Sequence, residues 1–455
     1  MHLLQGTTRG AGSDTFSSVG TKLRIGFLST KDPGDPDALS GMPYQMRAML
    51  HARGATIAPL GASLGASDRR LMNQLVPFGL LHSLPQGLRR SFRAAAGETR
   101  RCLDRAFSGR SYRMVLARAR VASRSIEQEV ARLDLDVVFG CCISTFLYDL
   151  HVAVPIVYYS DATARLINET YPRYIRRSPG YKTACDELER GALGRVAAGV
   201  FASNWARTSA VRDYGLADEC AFVIPMGANV VPDMKGDDQL AIEPPRCDSL
   251  ELCMVAADPE RKRLDLAIDT ICRLQAGGLD ARLTFVGPPT QRALRCRFVS
   301  CAGRLRLSNQ QDRHLYRRIL RESHLMLLPS AGEAFGIAPC EAAHFGRPSV
   351  VSDAGGLPEV VVDNVTGVVL PRNACAESYA DAIAEFVGMP DRYCRMCEAA
   401  RHRAVERLSW DRWADGMVRI LETLAAELHR PIHRAIATPL AVPIKPAGGD
   451  AAARC

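Results

Sequence analysis

Between Lys22 and Leu370 short apolar runs alternate with stretches of helical spacing, and the alternation happens twice. The first series runs KLRIGFLST, ATIAPLG, DVVFG, PIVYYS, GVFAS and FVIPM, with MPYQMRAMLHARG and NWARTSAVRDYG as helices. The second runs LELCMVAA, LTFVG, LMLLPS and PSVVS, with LDLAIDTICRLQAGG, LYRRILRES, CEAAHFG and LPEVVVD between or after them. Strands alternating with helices of this length imply parallel sheets. The polar, Pro-containing stretch VVPDMKGDDQLAIEPPRCDS separates the series. A chain of 455 residues also exceeds what one core usually serves. The expectation is α/β: two doubly wound, Rossmann-like domains facing each other, with chemistry in the cleft outside their strand ends.

The boundaries expected are a flexible leader over 1–21, an N-terminal domain over 22–230 and a linker over 231–249. A second domain follows over 250–408, then a C-terminal helix over 409–430 packing back toward the N-domain. The Ala- and Pro-rich tail 431–455 is expected to be disordered. Inside the first domain, 63–132 reads as an Arg-rich helical insertion. Fifteen scattered cysteines favour free thiols in a reducing compartment. Cys394 and Cys397 have CxxC spacing but no second ligand pair, so zinc, which needs four ligands, is not expected there. The leader lacks the apolar core of a secretory signal. The most apolar region is broken by Asp136, Asp149, His151 and Pro155, so no membrane span is expected.

The net charge is +9, and its excess is local. From Arg69 to Arg132 there are fourteen arginines and no lysine against four acids, a balance of +10. Such a run is either a solvated helical face or a surface for anionic lipid headgroups, aided by Leu80, Leu81, Leu84 and Leu88. No nucleic-acid module or aromatic stacking pattern accompanies it, so nucleic acid is not expected as a partner. The localisation expected is cytoplasmic; the lipid-docking alternative for 69–132 would add peripheral contact at the inner face of the membrane.

The chemistry concentrates in GEAFGIAPCEAAHFG, Gly332 to Gly346. Pro339 suits a helix's first turn, so a helix should open near Ile337 to Pro339 with its free amides aimed at the preceding strand tip, an anion site. Gly336 lets backbone approach a phosphate closely. Glu333 lies in the loop before the helix and Glu341 within its first turns, so the two can reach different parts of one ligand. Ionised carboxylates suit sugar and ribose hydroxyls. A second helix opening follows in GRPSVVSDAGGLPEVV, near Pro358 and Glu359 after Asp353-Ala354-Gly355-Gly356, and a second anion-facing terminus is expected there.

These residues resemble the donor-binding core of glycosyltransferase family 4, retaining enzymes with the GT-B fold. DPERKRLDLAI is similar to that family's basic segment, VIPMGAN to its interdomain strand end, and STKDPGDPDALSG to its glycine-bearing first loop. The resemblance implies that Glu333 contacts hydroxyls of the transferred sugar and Glu341 the nucleotide ribose. Amides around Phe335, Gly336 and Ile337 would hold the diphosphate, and Lys262 would neutralise its charge. Gly41 would let the N-domain loop close on the donor. Four positions depart from the pattern. Ala256 stands where many members carry Arg, which leaves Arg261 or Arg263 as the substitute. Arg263 replaces a common glycine. Asp161 replaces a common His, either as a cleft carboxylate acting on the sugar or as a helix cap. Asn229 stands where Asp is common and reads as packing or hinge.

The function implied is retaining transfer of a sugar from a UDP- or GDP-linked donor to an acceptor hydroxyl on a glycan, lipid or small molecule. Neither a cofactor nor a metal is expected. The Asp-x-Asp in GDPDA reads as loop chemistry. Rival readings are a nucleotide-sugar epimerase or phosphorylase-like enzyme on the same fold, and a non-catalytic membrane-associated scaffold. A dinucleotide oxidoreductase is disfavoured, since neither domain opens with G-x-G-x-x-G.

Overall fold

The computed structural model describes residues 22–61, 112–175, 177–232, 246 and 248–428. The expected leader and tail, most of the Arg-rich insertion and most of the linker lie outside the described residues. Of the insertion, 112–132 is described, and 112–130 is helical. Val115, Leu116, Ala119, Ala122, Ile126 and Val130 point inward from it and are buried.

Among the described residues, twelve strands form two six-stranded, wholly parallel sheets. The first contains β1 (Arg24–Ser29), β2 (Thr56–Pro59), β3 (Val137–Cys141), β4 (Ile156–Ser160), β5 (Ala198–Phe201) and β6 (Ala221–Val223), in the order β2-β1-β3-β4-β5-β6. The second contains β7 (Leu250–Val255), β8 (Ala281–Val286), β9 (Val299–Gly303), β10 (Leu325–Leu328), β11 (Ser349–Ser352) and β12 (Gly367–Leu370), in the order β12-β11-β10-β7-β8-β9. Central strands β3, β4, β10 and β11 are buried throughout. Such strands must be apolar on both faces, which is why they read as continuous runs rather than as alternation. The second sheet reverses its winding between β7 and β10. A crevice opens at that switch point, beyond Val255 and Leu328.

Some elements are shorter or lie elsewhere than the sequence suggests. FVIPM contributes only Phe222 and Val223, the end of strand Ala221–Val223, and LPEVVVD yields a single turn, Leu357–Val360. Helix Pro390–Arg407 carries the CxxC pair. There Cys397 is buried with Tyr393 and Met396 in an apolar core. Every cysteine among the described residues is a free thiol.

The chain crosses between the sheets twice. The first crossing follows β6, and the second returns through Leu408 into helix Trp410–Leu428, which lies on the N-domain. The crossings touch. Ala228 N–H donates to Leu408 O at 3.3 Å, and a Cβ at Gly227 would lie 2.2 Å from Trp410 N. That contact is why VIPMGAN carries glycine. Trp413, fully buried, packs edge-on to Tyr159 (5.8 Å), Phe139 (6.1 Å) and Trp410 (5.7 Å). Arg53 pairs with Asp411 and Asp415 at the rim of the same contact. Among the described residues, no helix is long and apolar enough to cross a membrane.

Candidate active site

The loop after β7 builds the basic side of the crevice. Asp258 Oδ1 accepts from Arg261 N (3.1 Å) and its carbonyl from Lys262 N (3.0 Å), so DPERKR closes into a turn. Arg263 ends that turn at φ +55°, a left-handed conformation, before helix Leu264–Ala276 begins. A glycine would take this conformation without strain, which gives a backbone reason for the glycine common at this position in the family resembled. Arg261 O accepts from Ala331 N at 2.8 Å, which ties the turn to the loop after β10.

That loop brings Glu333 to the same place. Its Oε2 lies 3.2 Å from Arg261 Nη1 and 3.3 Å from Lys262 Nζ, and all three side chains are largely buried. Burial alone would raise the Glu333 carboxyl, but Lys262 and Arg261 outweigh it and hold the group below the usual range. Glu333 is therefore an anion at neutral pH, placed where an incoming phosphate would compete for its two cations.

Helix Ile337–His344 opens beside this trio, with Gly336 at φ +116° as its N-cap. A Cβ there would sit 2.7 Å from Leu357 Cδ2, so only glycine fits. Among the described residues, the amides of Phe335, Gly336 and Ile337 donate to no protein acceptor. They are the unpaired donors of a helix start, which favour anions.

The expected second terminus has a different role. Helix Leu357–Val360 is one turn long, and residues 353–360 are absent from the cavity wall. Gly355 and Gly356 instead press on the Glu333 loop. Gly356 N donates to Glu333 O (3.3 Å), and a Cβ on Gly355, at φ +60°, would lie 1.8 Å from the same oxygen. The pair is a backbone platform for Glu333, not an anion site. Glu359 turns to the other domain, accepting from Asn204 N (2.7 Å), Asn204 Nδ2 (2.9 Å) and Trp205 N (2.8 Å) at the start of helix Asn204–Tyr214.

The crevice is a cavity of about 760 Å³ walled by both domains. At one end Glu341, buried, accepts from the Tyr316 hydroxyl at 2.6 Å, and burial pushes its carboxyl up to about 7. Arg304, Leu305, Arg306 and Leu307, after β9, line the wall nearby. Asp37 spans the cleft there: it accepts from Leu307 N (2.6 Å) and Ser308 Oγ (2.5 Å). Gly41, buried at φ +77°, caps helix Met42–Ala52. It is not itself on the wall, although Leu39, Ser40 and Met42 are. A Cβ on Gly41 would crowd Pro36 O (3.0 Å) and Asn229 Nδ2 (3.2 Å). Asn229 donates to Ser40 O (2.5 Å) and accepts from Trp410 Nε1 (3.1 Å), so it joins the first loop to both crossings.

Asp161 and Tyr171 of the N-domain also stand on the wall, with Arg261 and Glu333. Asp161 does not cap the following helix. Thr163 does, accepting from Leu166 N. Burial, with the charge of Glu333 adding, pushes the Asp161 carboxyl up to about 6. Of the two candidates for the missing basic residue, Arg261 lines the cavity, whereas Arg263 reaches away to Arg372 O (2.6 Å). Ala256 is fully buried at the end of β7. Sequence reasoning missed Tyr171 and Asp37 as cleft residues. Tyr171 sits in no recurring motif and Asp37, in GDPDA, reads from the sequence as loop chemistry; both reach the cleft through contacts between the domains.

Residues 238–403 match the family model described as Glycosyl transferases group 1. The chain is 33% identical over 171 residues to a GDP-mannose-dependent alpha-(1-6)-phosphatidylinositol dimannoside mannosyltransferase of Mycobacterium tuberculosis, covering 36% of this chain and 42% of that one. It is 28% identical over 237 residues to a phosphatidyl-myo-inositol mannosyltransferase of Mycobacterium leprae, covering 51% and 60%. The match thus spans less than two thirds of either relative. Sucrose-phosphate synthase from Thermosynechococcus elongatus superposes with a TM-score of 0.61 at 16% identity, over 89% of this chain and all of that one. The fold is GT-B.

Proposed function

We propose, for a chain whose C-terminal domain belongs to the group 1 glycosyl transferases, transfer of a sugar from a UDP- or GDP-linked donor to an acceptor hydroxyl, with retention. One observation carries this reading: Glu333 is held by Arg261 and Lys262 beside three unpaired helix amides, inside an interdomain cavity. The diphosphate would take the amides of Phe335, Gly336 and Ile337 and draw Arg261 and Lys262 toward itself. Glu333 would then be free to accept from sugar hydroxyls. Glu341, past the helix start, lies at the ribose end.

In the reaction the anomeric C–O bond to the diphosphate breaks and its electron pair leaves with the phosphate. The acceptor oxygen forms the new bond, and its proton passes to the departing diphosphate oxygen. Lys262, Arg261 and the helix amides meet the charge that develops on the leaving group, a large term when such groups are preorganised. No step in this reading calls for a metal. Asp161, at the sugar end, is mostly ionised at neutral pH and suits either a sugar hydroxyl or the positive charge growing at the anomeric carbon. Contacts across the cleft exclude water that would otherwise hydrolyse the donor.

Both relatives named above are mannosyltransferases that act on phosphatidylinositol lipids by name, so a GDP-linked hexose and a lipid-linked acceptor come first in the assay. Free nucleoside diphosphate should appear only when acceptor is present, and Glu333→Ala should abolish it. Release without acceptor and without a glycosylated product, or full activity of Glu333→Ala, overturns the reading. The same proposal places the Arg-rich segment on anionic membrane. Helix 112–130 turns Arg113, Arg120 and Arg124 outward with Met114 (48% exposed) and Val121 (66% exposed). Co-sedimentation with liposomes should require anionic lipid; equal binding to neutral liposomes, or none, sinks the docking idea.

A further inference from the structure

Tyr171 belongs to the N-domain, yet two of its contacts serve the C-domain's basic site. It is the C-cap of helix Ala164–Thr170, with φ −89° and ψ 121°. Pro172 follows, and a residue before proline is driven to such extended geometry. The turn sends the ring across the cleft. There the Arg261 guanidinium lies 4.8 Å from the ring centroid. The phenol oxygen accepts from Ala334 N at 3.0 Å, in the loop that carries Glu333. Tyr174 braces the ring edge-on at 6.4 Å.

The neighbouring backbone is docked as well. A Cβ on Gly332 would lie 2.7 Å from both Thr170 Cγ2 and Thr170 O, so the loop after β10 rests directly on the end of this helix. Arg372 Nη2 adds a longer contact to Thr170 O at 3.4 Å. Tyr171 therefore meets Arg261 and the Glu333 loop only when the two domains are together. Burial pushes the phenol well up, so it is neutral and neither draws a proton from the donor nor rivals phosphate as an anion.

We propose that Tyr171 is a positioning residue: its ring fixes Arg261 for the diphosphate of the donor, so that the second cation of the site is set only on domain closure. This rests on the glycosyltransferase reading above. The chemical logic follows from Arg261 itself. With Lys262 it is one of the two cations on Glu333, and its side chain leaves the turn that Asp258 closes at the cleft. A long side chain there loses rotamer freedom when it binds, and an aromatic face that holds it in advance removes part of that cost.

The test measures binding of UDP and of GDP by calorimetry, without any sugar, so that contacts to the transferred sugar do not enter. The variants are Tyr171→Phe, Tyr171→Leu, Arg261→Lys and the double variant Tyr171→Leu with Arg261→Lys. Loss of a cation–ring contact predicts about 3- to 30-fold weaker binding for Tyr171→Leu. Tyr171→Phe keeps the ring and should stay within about 2-fold of the parent. The double variant should bind no worse than Arg261→Lys within the same margin, because Tyr171 acts through Arg261. Tyr171→Met takes the place of the leucine variant should that one fail to fold, judged by its melting curve without nucleotide. The proposal is overturned if Tyr171→Phe binds as weakly as Tyr171→Leu, if the single losses multiply in the double variant, or if the leucine variant binds like the parent. A parent protein that binds neither nucleotide removes the functional reading and this inference together, whereas tight parental binding with multiplicative losses removes only this one.

Discussion

At the scale of single residues, the site holds carboxylates in contrasting environments. Glu333 has two cations and stays ionised; Glu341 has a phenol and lies deep, so its carboxyl stands at about 7 rather than near the ordinary 4.5. The sign of the consequence follows from proton counting. Between those two pH values the folded chain keeps a proton on Glu341 that the unfolded chain has released, so stability from this group falls as pH rises through the window and stays low above it. Glu341→Gln carries no such charge, and its carbonyl can accept from the Tyr316 hydroxyl as the carboxyl does. In the absence of nucleotide it should gain on the parent as pH rises from 5 to 8, by on the order of 3 kcal/mol at the top. Melting curves across that range check it; a difference that does not change with pH would show that Glu341 is ionised throughout.

The sequence made these residues legible unevenly. Glu333, Glu341, Lys262 and Gly336 stand at short, fixed spacings around one strand end, and local geometry carried them to one cavity. Tyr171 and Asp37 are separated from their partners by 163 and 270 positions. Nothing in the neighbourhood of Tyr171 marks it, and GDPDA marks Asp37 only as loop chemistry. Asp161 was legible as a charged residue at a strand end, but its role as cap or cleft group turned on Thr163, which takes the cap.

At the scale of elements, the instructive case is DAGG. A glycine pair before a helix-forming stretch suggests phosphate approach, yet here the close neighbour is the protein's own backbone. Both functions need a missing Cβ, so sequence alone does not separate them; the one-turn length of Leu357–Val360 does. Gly355→Ala would drive its Cβ onto Glu333 O, backbone against backbone, so the loop must shift. A displacement of about 1 Å at a catalytic group costs on the order of 100-fold in rate. Turnover of the nucleotide-sugar donor should fall by at least about that factor while the circular dichroism spectrum is kept. Gly278→Ala is the matched control. Its φ is +87° with nothing within 4 Å, so it carries backbone strain alone, about 1 kcal/mol of stability with activity retained. Equal activity of the two variants would remove the platform from the account.

At the scale of the whole molecule, the order of the chain and the order of the domains differ. Helix Trp410–Leu428 comes last among the described elements and follows the second domain, yet it covers the first. The N-domain core is therefore complete only after the C-domain has been made. Trp413 is the largest group in that contact, buried against Phe139 on β3 and Tyr159 on β4. Its removal should cost about 3–5 kcal/mol, the range for truncating a buried aromatic. In a two-domain chain that loss need not spread evenly. Trp413→Ala should speed hydrogen exchange in β3 and β4 by orders of magnitude and leave β8, in the other sheet, near its original protection. A uniform loss across β3, β4 and β8 would mean that the two domains unfold as one unit, and that the returning helix serves the whole molecule rather than the domain it covers.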